Sequence, residues 1–122
     1  MDLITHFSVT KEDSVENAQK LFGEFLLSEE KILRAYKHTR DKVVFTTHRL
    51  ICYDVQGITG SKKEIRFFPY SKITSFSVET AGFFDGDSDF KIWVSGVGVF
   101  GIKFARGIDV KSIGKFMAKT VV

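Results

Sequence analysis

From Lys31 onward the spacing of apolar residues changes toward two, and on both sides of the stretch ending near Ala105 they recur at helical spacing. Period two places alternate side chains on opposite faces of a strand, whereas period 3.6 gathers them on one helix face. The chain opens with a short lead, Met1–Val9, whose apolar anchors are Leu3, Ile4, Phe7 and Val9. Val15, Ala18, Leu21 and Phe22 then share one helical face, with Glu16, Asn17 and Lys20 opposite. Thr10 is the expected N-cap, Glu12 and Asp13 suit a first turn, and Gly23 is the expected stop.

Seven strands follow: Lys31–Arg40, Val43–Thr47, Ile51–Val55, Glu64–Phe68, Ile73–Thr80, Phe90–Val94 and Phe100–Phe104. Arg40-Asp41 is polar enough to turn the chain, and a tight corner is expected near Thr47–Arg49. Gln56–Lys62 reads as a glycine-bearing hairpin loop, and Pro69 ends a strand because it has no N–H for the ladder. Ala81–Asp89 is a loop with Phe83 and Phe84 expected on the surface, and Gly96-Val97-Gly98 is a turn. Asp109 caps a closing helix with the apolar stripe Val110, Ile113, Phe116, Met117 and Val121. The pattern implies a mainly β protein: seven antiparallel strands in a small barrel or sandwich, capped by a C-terminal amphipathic helix and preceded by an extra N-terminal one. One domain is expected over residues 1–122, divided into a lead and helix (1–27), strands (31–105) and a capping helix (108–121).

Charge adds little to this picture. Eighteen Lys and Arg are interleaved with 15 Asp and Glu, giving a formal charge of +3, and no basic block points to nucleic acid. Thirteen Phe do add something, since rings fill a pleated, half-buried surface and some are expected where a partner covers them. No apolar run approaches the roughly 20 residues of a spanning helix, and the N-terminus has no secretory pattern, so a cytoplasmic location is expected.

Candidate chemistry is sparse. Cys52 sits in an apolar run and is expected to be an inert, buried thiol. His6, His38 and His48 lack ligand spacing. Asp85, Asp87 and Asp89 mimic half of a calcium loop, but Phe90 stands where glycine is required and Gly96 where the bidentate acid belongs. Gly96–Gly101 lies between two alternating strands and lacks the Lys-Ser/Thr ending of a phosphate loop. No catalytic residue, cofactor or metal is therefore assigned, and an enzyme is not expected.

Several phrases nevertheless carry a resemblance. Thr39-Arg40-Asp41, the run VFTTHRLI, Asp54–Gly57 with Thr59–Lys63, the run FFPYSKI, and Val78–Gly82 together resemble the bacterial pleckstrin homology (PH) group over nearly the whole chain. The resemblance implies a PH-like barrel capped by the last helix, cyclic homo-oligomeric rings (a pentamer as the best single expectation), and a non-enzymatic scaffolding role toward an unknown protein partner. Residues carried over as a polar binding surface are Arg40, Asp41, Arg49, Asp54, Gln56, Thr59, Lys63 and Glu79. The competing expectation is a peripheral membrane module in which Lys37, Arg40, Lys42 and Lys62 meet an anionic lipid head group.

Overall fold

The computed structural model describes residues 4–80 and 86–121, with the side chains of residues 4–6 left aside. The chain divides into two compact units, Glu12–Pro69 and the pair of segments Met1–Lys11 and Tyr70–Val122. Each unit carries a sheet.

The first sheet has five strands in the order β2-β3-β4-β5-β6. They are β2 (Lys11–Glu12), β3 (Ile32–His38), β4 (Asp41–Thr46), β5 (Arg49–Gln56) and β6 (Lys62–Pro69). From β3 to β6 each strand pairs antiparallel with the next, so this half is a meander. Helix α1 (Val15–Phe22) and a following 3₁₀ turn, Gly23–Phe25, pack on one face of it. Ala18 and Phe22 enter a buried cluster with Ile32, Ala35, Val44, Ile51 and Tyr53, and the rings of Phe22 and Tyr53 meet edge-on at 5.8 Å. The opposite face carries Tyr36, Val43, Phe45, Leu50 and Cys52, all buried. Both faces of β4 and β5 are therefore covered, which accounts for their unbroken apolar runs where a one-sided strand would alternate. Val43, Phe45, Leu50 and Ile51, the expected core, have no exposed surface.

The second sheet has four strands in the order β1-β9-β8-β7. These are β1 (Ile4–Val9), β7 (Ile73–Glu79), β8 (Ser88–Val94) and β9 (Gly98–Phe104). Phe90, Ile92, Phe100, Ile102 and Phe104 are buried, and the rings of Phe90 and Phe104 meet at 6.3 Å. Helix α2 (Val110–Thr120) starts at Asp109, whose carboxylate accepts from the Ser112 amide at 3.1 Å. Of the expected stripe, Val110, Ile113 and Met117 are buried, and Phe116 and Val121 are half-buried. It lies close on β7: a Cβ added at Gly114 would stand 3.2 Å from Val78 Cγ2.

The mainly β class with one C-terminal helix is as expected, and the N-terminal helix is present. The details differ in three places. Residues 4–9, expected as a lead, form a strand that pairs parallel with β9, so the described residues hold nine strands, not all of them antiparallel. The partner lies some ninety residues downstream, beyond the reach of local periodicity. Ser14 caps α1 in place of Thr10: its hydroxyl accepts from the Asn17 amide at 3.0 Å, while Lys11–Glu12 form β2 and Asp13 donates its amide to Ala35. Asp41 is the first residue of β4, and the turn before it rests on Thr39 and Arg40, with Thr39 at φ 52°. Phe83, Phe84 and Asp85 lie outside the described residues.

Candidate functional site

At one end of the five-stranded sheet two neighbouring turns meet, Thr39–Arg40 between β3 and β4 and Gly57–Ser61 between β5 and β6. The Gly60 amide donates to the Gly57 carbonyl at 3.3 Å, closing a β-turn with Ile58 and Thr59 at its corners. Gly57 and Gly60 flank it at φ 80° and 71°, values that an L side chain adopts only under strain. The Arg40 guanidinium donates to the Gly57 carbonyl at 3.2 Å and lies so close to Gly60 that a Cβ there would stand 2.7 Å from Nη1. Asp41 accepts from the Val55 amide at 2.9 Å, Gln56 donates to Asp54 at 3.1 Å, and Thr59 donates to Ser61 at 3.0 Å. Lys62 and Lys63 are exposed and stand opposite Gln56 and Val55 in the ladder. Six of the eight polar-surface residues are thus brought together: Arg40, Asp41, Asp54, Gln56, Thr59 and Lys63. The half-buried carboxylates of Asp41 and Asp54 accept these bonds, and the exposed charges of this end are Arg40, Lys62, Lys63 and Glu64.

Arg49 belongs to the opposite end of the same sheet, where it faces Pro69. Its guanidinium grips Glu30 through two bonds of 2.9 Å, donates to the Phe25 carbonyl at 2.7 Å, and lies 4.9 Å from the centre of the Phe67 ring. Glu30 is nearly fully buried and also accepts from the Thr46 hydroxyl and the Leu27 amide. Burial alone would raise the Glu30 carboxyl. The bonds from Arg49, Thr46 and Leu27 and the Arg49 charge outweigh it and hold the group down at about 2. Arg49 therefore serves as a bridge that ties the segment after α1 to β5. Around it Phe25, Leu27 and Phe67 expose apolar surface, 39%, 51% and 37% of each residue, with the Phe25 and Phe67 rings 6.0 Å apart. Neither Glu30 nor this patch was assigned from the sequence, because no local pattern tells an exposed Phe from a core one.

Two of the four lipid-contact candidates turn inward. Lys42 lies 2.7 Å and Lys37 3.6 Å from the Asp13 carboxylate, whose side chain is only 1% exposed. Burial pushes the Asp13 carboxyl up, and the bonds from Lys42, Asn17 and Ser14, with the Lys42 charge, bring it below the ordinary carboxylate range. Glu79 is exposed at the end of β7, in the other unit. That unit also has an open cleft of about 540 Å³ lined by Thr74, Trp93, Val94, Gly96, Val97 and Gly98, without a charged side chain. Among the described residues no three His, Cys, Asp or Glu side chains gather as metal ligands. Among the described residues no helix is long and apolar enough to cross a membrane.

A profile described as "Bacterial PH domain" matches residues 3–121. The chain is 44% identical over 107 residues to the uncharacterized protein YjqA of Bacillus subtilis (strain 168), covering 86% of each. To the uncharacterized protein YozO of the same strain it is 31% identical over 114 residues, 93% of this chain and 94% of the relative. The crystal structure of a DUF1696 family protein with a pleckstrin-homology domain from Shewanella loihica PV-4 aligns with a TM-score of 0.85 at 37% identity, over 92% of this chain and 97% of that one. A pleckstrin homology domain from Shewanella amazonensis SB2B aligns with a TM-score of 0.74 at 38% identity, over 92% and 91%. Sequence and fold agree along almost the full length, and the chain belongs to the bacterial PH domain family.

Proposed function

We propose that this domain is a non-enzymatic interaction module that works as a cyclic homo-oligomer, with five copies as the best single expectation, and offers its polar turn end to a protein partner. The observation that carries the reading is the apolar patch of Phe25, Leu27 and Phe67 around Arg49. Aromatic and Arg side chains together are the usual anchors of a protein interface, and an exposed cluster of this kind favours being covered. Two further features support it. β6, the strand that carries Phe67, forms one outer edge of its sheet, and an edge strand is commonly covered by association. Arg40, Lys62 and Lys63 add exposed polar groups at the turn end that a protein partner can meet. A ring repeats one modest surface several times, so a weak contact per copy gains avidity.

Light scattering on the purified chain at micromolar concentration tests the reading. A mass several-fold above 13.8 kDa is expected, and a monodisperse 13.8 kDa species would contradict it.

A further inference from the structure

The core face of the four-stranded sheet is sealed over β8 and β9 and left open at β7. Phe76 and Val78 stand directly opposite Ile92 and Phe90 in the ladder, so all four share that face. Ile92 and Phe90 have no exposed surface, whereas Phe76 and Val78 are only half-buried. β7 is also the outermost strand of its sheet, bonded to β8 alone. Past a register irregularity at Thr74 it runs from Ser75 to Glu79 without Pro, Lys or Arg, the residues that usually guard an open edge. Helix α2 comes against this strand at Gly114, close to Val78. Helix and free edge therefore border the same strip of half-buried apolar surface.

That helix is basic. From Val110 to Thr120 it holds Lys111, Lys115 and Lys119, all exposed, and no acid. The helix passes Val78 at Gly114 and its Phe116 ring meets Tyr70 at 6.1 Å, so it advances toward the start of β7. There exposed Lys72 joins Lys115 and Lys119. The acids among the described residues of this unit are Glu79, Asp87, Asp89 and Asp109, and they stand toward the other end, around the close of β7 and the start of α2. We infer that an extended segment of a partner protein pairs with β7 as an added strand, sets alternate apolar side chains over Phe76 and Val78, and points acidic residues at Lys72, Lys115 and Lys119. Backbone pairing gives such a ligand its affinity, and the alternate side chains give it specificity. Lysines, compact charges on flexible stems, suit scattered carboxylates better than planar bidentate groups. A bilayer fits less well, because α2 has already committed its apolar face to the sheet. Binding of this kind requires no second copy of the chain.

Selection of a random short-peptide library on the full chain is the test. Enriched peptides are expected to alternate apolar residues and to cluster Asp or Glu at one end. When a synthetic copy of one of them binds, hydrogen exchange is expected to slow at the amides of Ser75–Glu79 and to stay unchanged at Gly57–Ser61. The variant Lys115→Glu/Lys119→Glu changes two exposed positions, so its circular dichroism spectrum is expected to match the wild type. Its affinity for the peptide is expected to fall about tenfold at low salt, with a smaller difference at high salt. A library that enriches no peptide would overturn the inference, as would slowed exchange at Gly57–Ser61 with none at β7. Equal binding by the double variant would remove the acidic ligand. Phosphatidylglycerol vesicles that hold the wild type but not the double variant, with no peptide enriched, would assign the basic face to a membrane. None of these outcomes touches the ring, which stands on the mass in solution.

Discussion

Replacing Glu30 by Gln tests the reading of the Arg49 bridge quantitatively. The substitution keeps the side chain's shape and removes its charge, leaving a half-buried guanidinium without its anion. Breaking a buried pair by neutralising one partner costs roughly 3–5 kcal/mol, and the 20% of the Arg49 side chain that water still reaches favours the lower figure. The carboxyl itself gives a second route to the magnitude. It titrates at about 2 against an ordinary value of 4.5, and at about 1.4 kcal/mol per unit the difference is roughly 3 kcal/mol. Because the folded-state value is depressed, this stability is fully present above pH 4.5 and is lost as pH falls through the folded value. By the same relation about 3 kcal/mol is present at pH 5 and about half of it at pH 3. Urea unfolding at pH 7, 5 and 3 is the assay. With a slope of about 1–3 kcal/mol per molar, the wild-type midpoint at pH 7 should exceed that of Glu30→Gln by about 1–3 M, and the gap should narrow clearly between pH 5 and pH 3. A loss under about 1 kcal/mol at pH 7, or a gap independent of pH, would refute the argument.

Other expectations follow from the same kind of geometry. Asp13→Asn and Lys42→Met, combined in a double-mutant cycle by urea unfolding, should show a coupling of about 1–3 kcal/mol, since the Asp13 carboxylate is buried and charge-bonded; a coupling near zero would mean that the pair does not hold the start of α1. Gly60→Ala should lower the thermal midpoint by several degrees, through a positive φ and the 2.7 Å approach to Arg40. Arg40→Ala in the same chain should recover part of the loss, and an unchanged midpoint in Gly60→Ala would contradict the turn geometry. Cys52 is fully buried and its thiol is pushed well above the usual range by burial, with the nearby Arg66 charge lowering it only in part. A thiol reagent should therefore leave it unmodified at pH 8 until the chain is unfolded by denaturant, and rapid labelling of the folded protein would show the strand face to be open.

The fold was legible in the sequence wherever structure is local. Apolar spacing near period two, bounded by turn residues, located β3 to β9 to within a few residues; alternation is plain around Ile92, while in β4 and β5 apolar side chains fill both faces. The family phrases also clustered for a physical reason: Gly57 and Gly60 sit at positive φ in one turn, and Asp41, just after the neighbouring turn, accepts from the Val55 amide. What stayed hidden depends on distant partners. β1 becomes a strand only by pairing with β9. Ser14 outcompetes Thr10 as a cap because Lys11 and Glu12 are drawn into β2 and the Asp13 amide is bonded to Ala35, a tertiary preference that a capping pattern does not reveal. The candidate surface divides in the same way. Its members near the two turns fall together because two adjacent hairpins end side by side, while Arg49 and Glu79 share their family phrases without sharing their location. Arg49 reads as a free surface cation until Glu30, nineteen residues earlier, is seen beneath it. Lys37 and Lys42 likewise read as outward charges until Asp13 is found between them.

The subunit count decides whether the domain works as an assembled module. Native mass spectrometry of the full chain at micromolar concentration is expected to give one dominant species at an integer multiple of 13.8 kDa, five being the favoured multiple. A spectrum containing only the 13.8 kDa chain across the micromolar range would contradict the account.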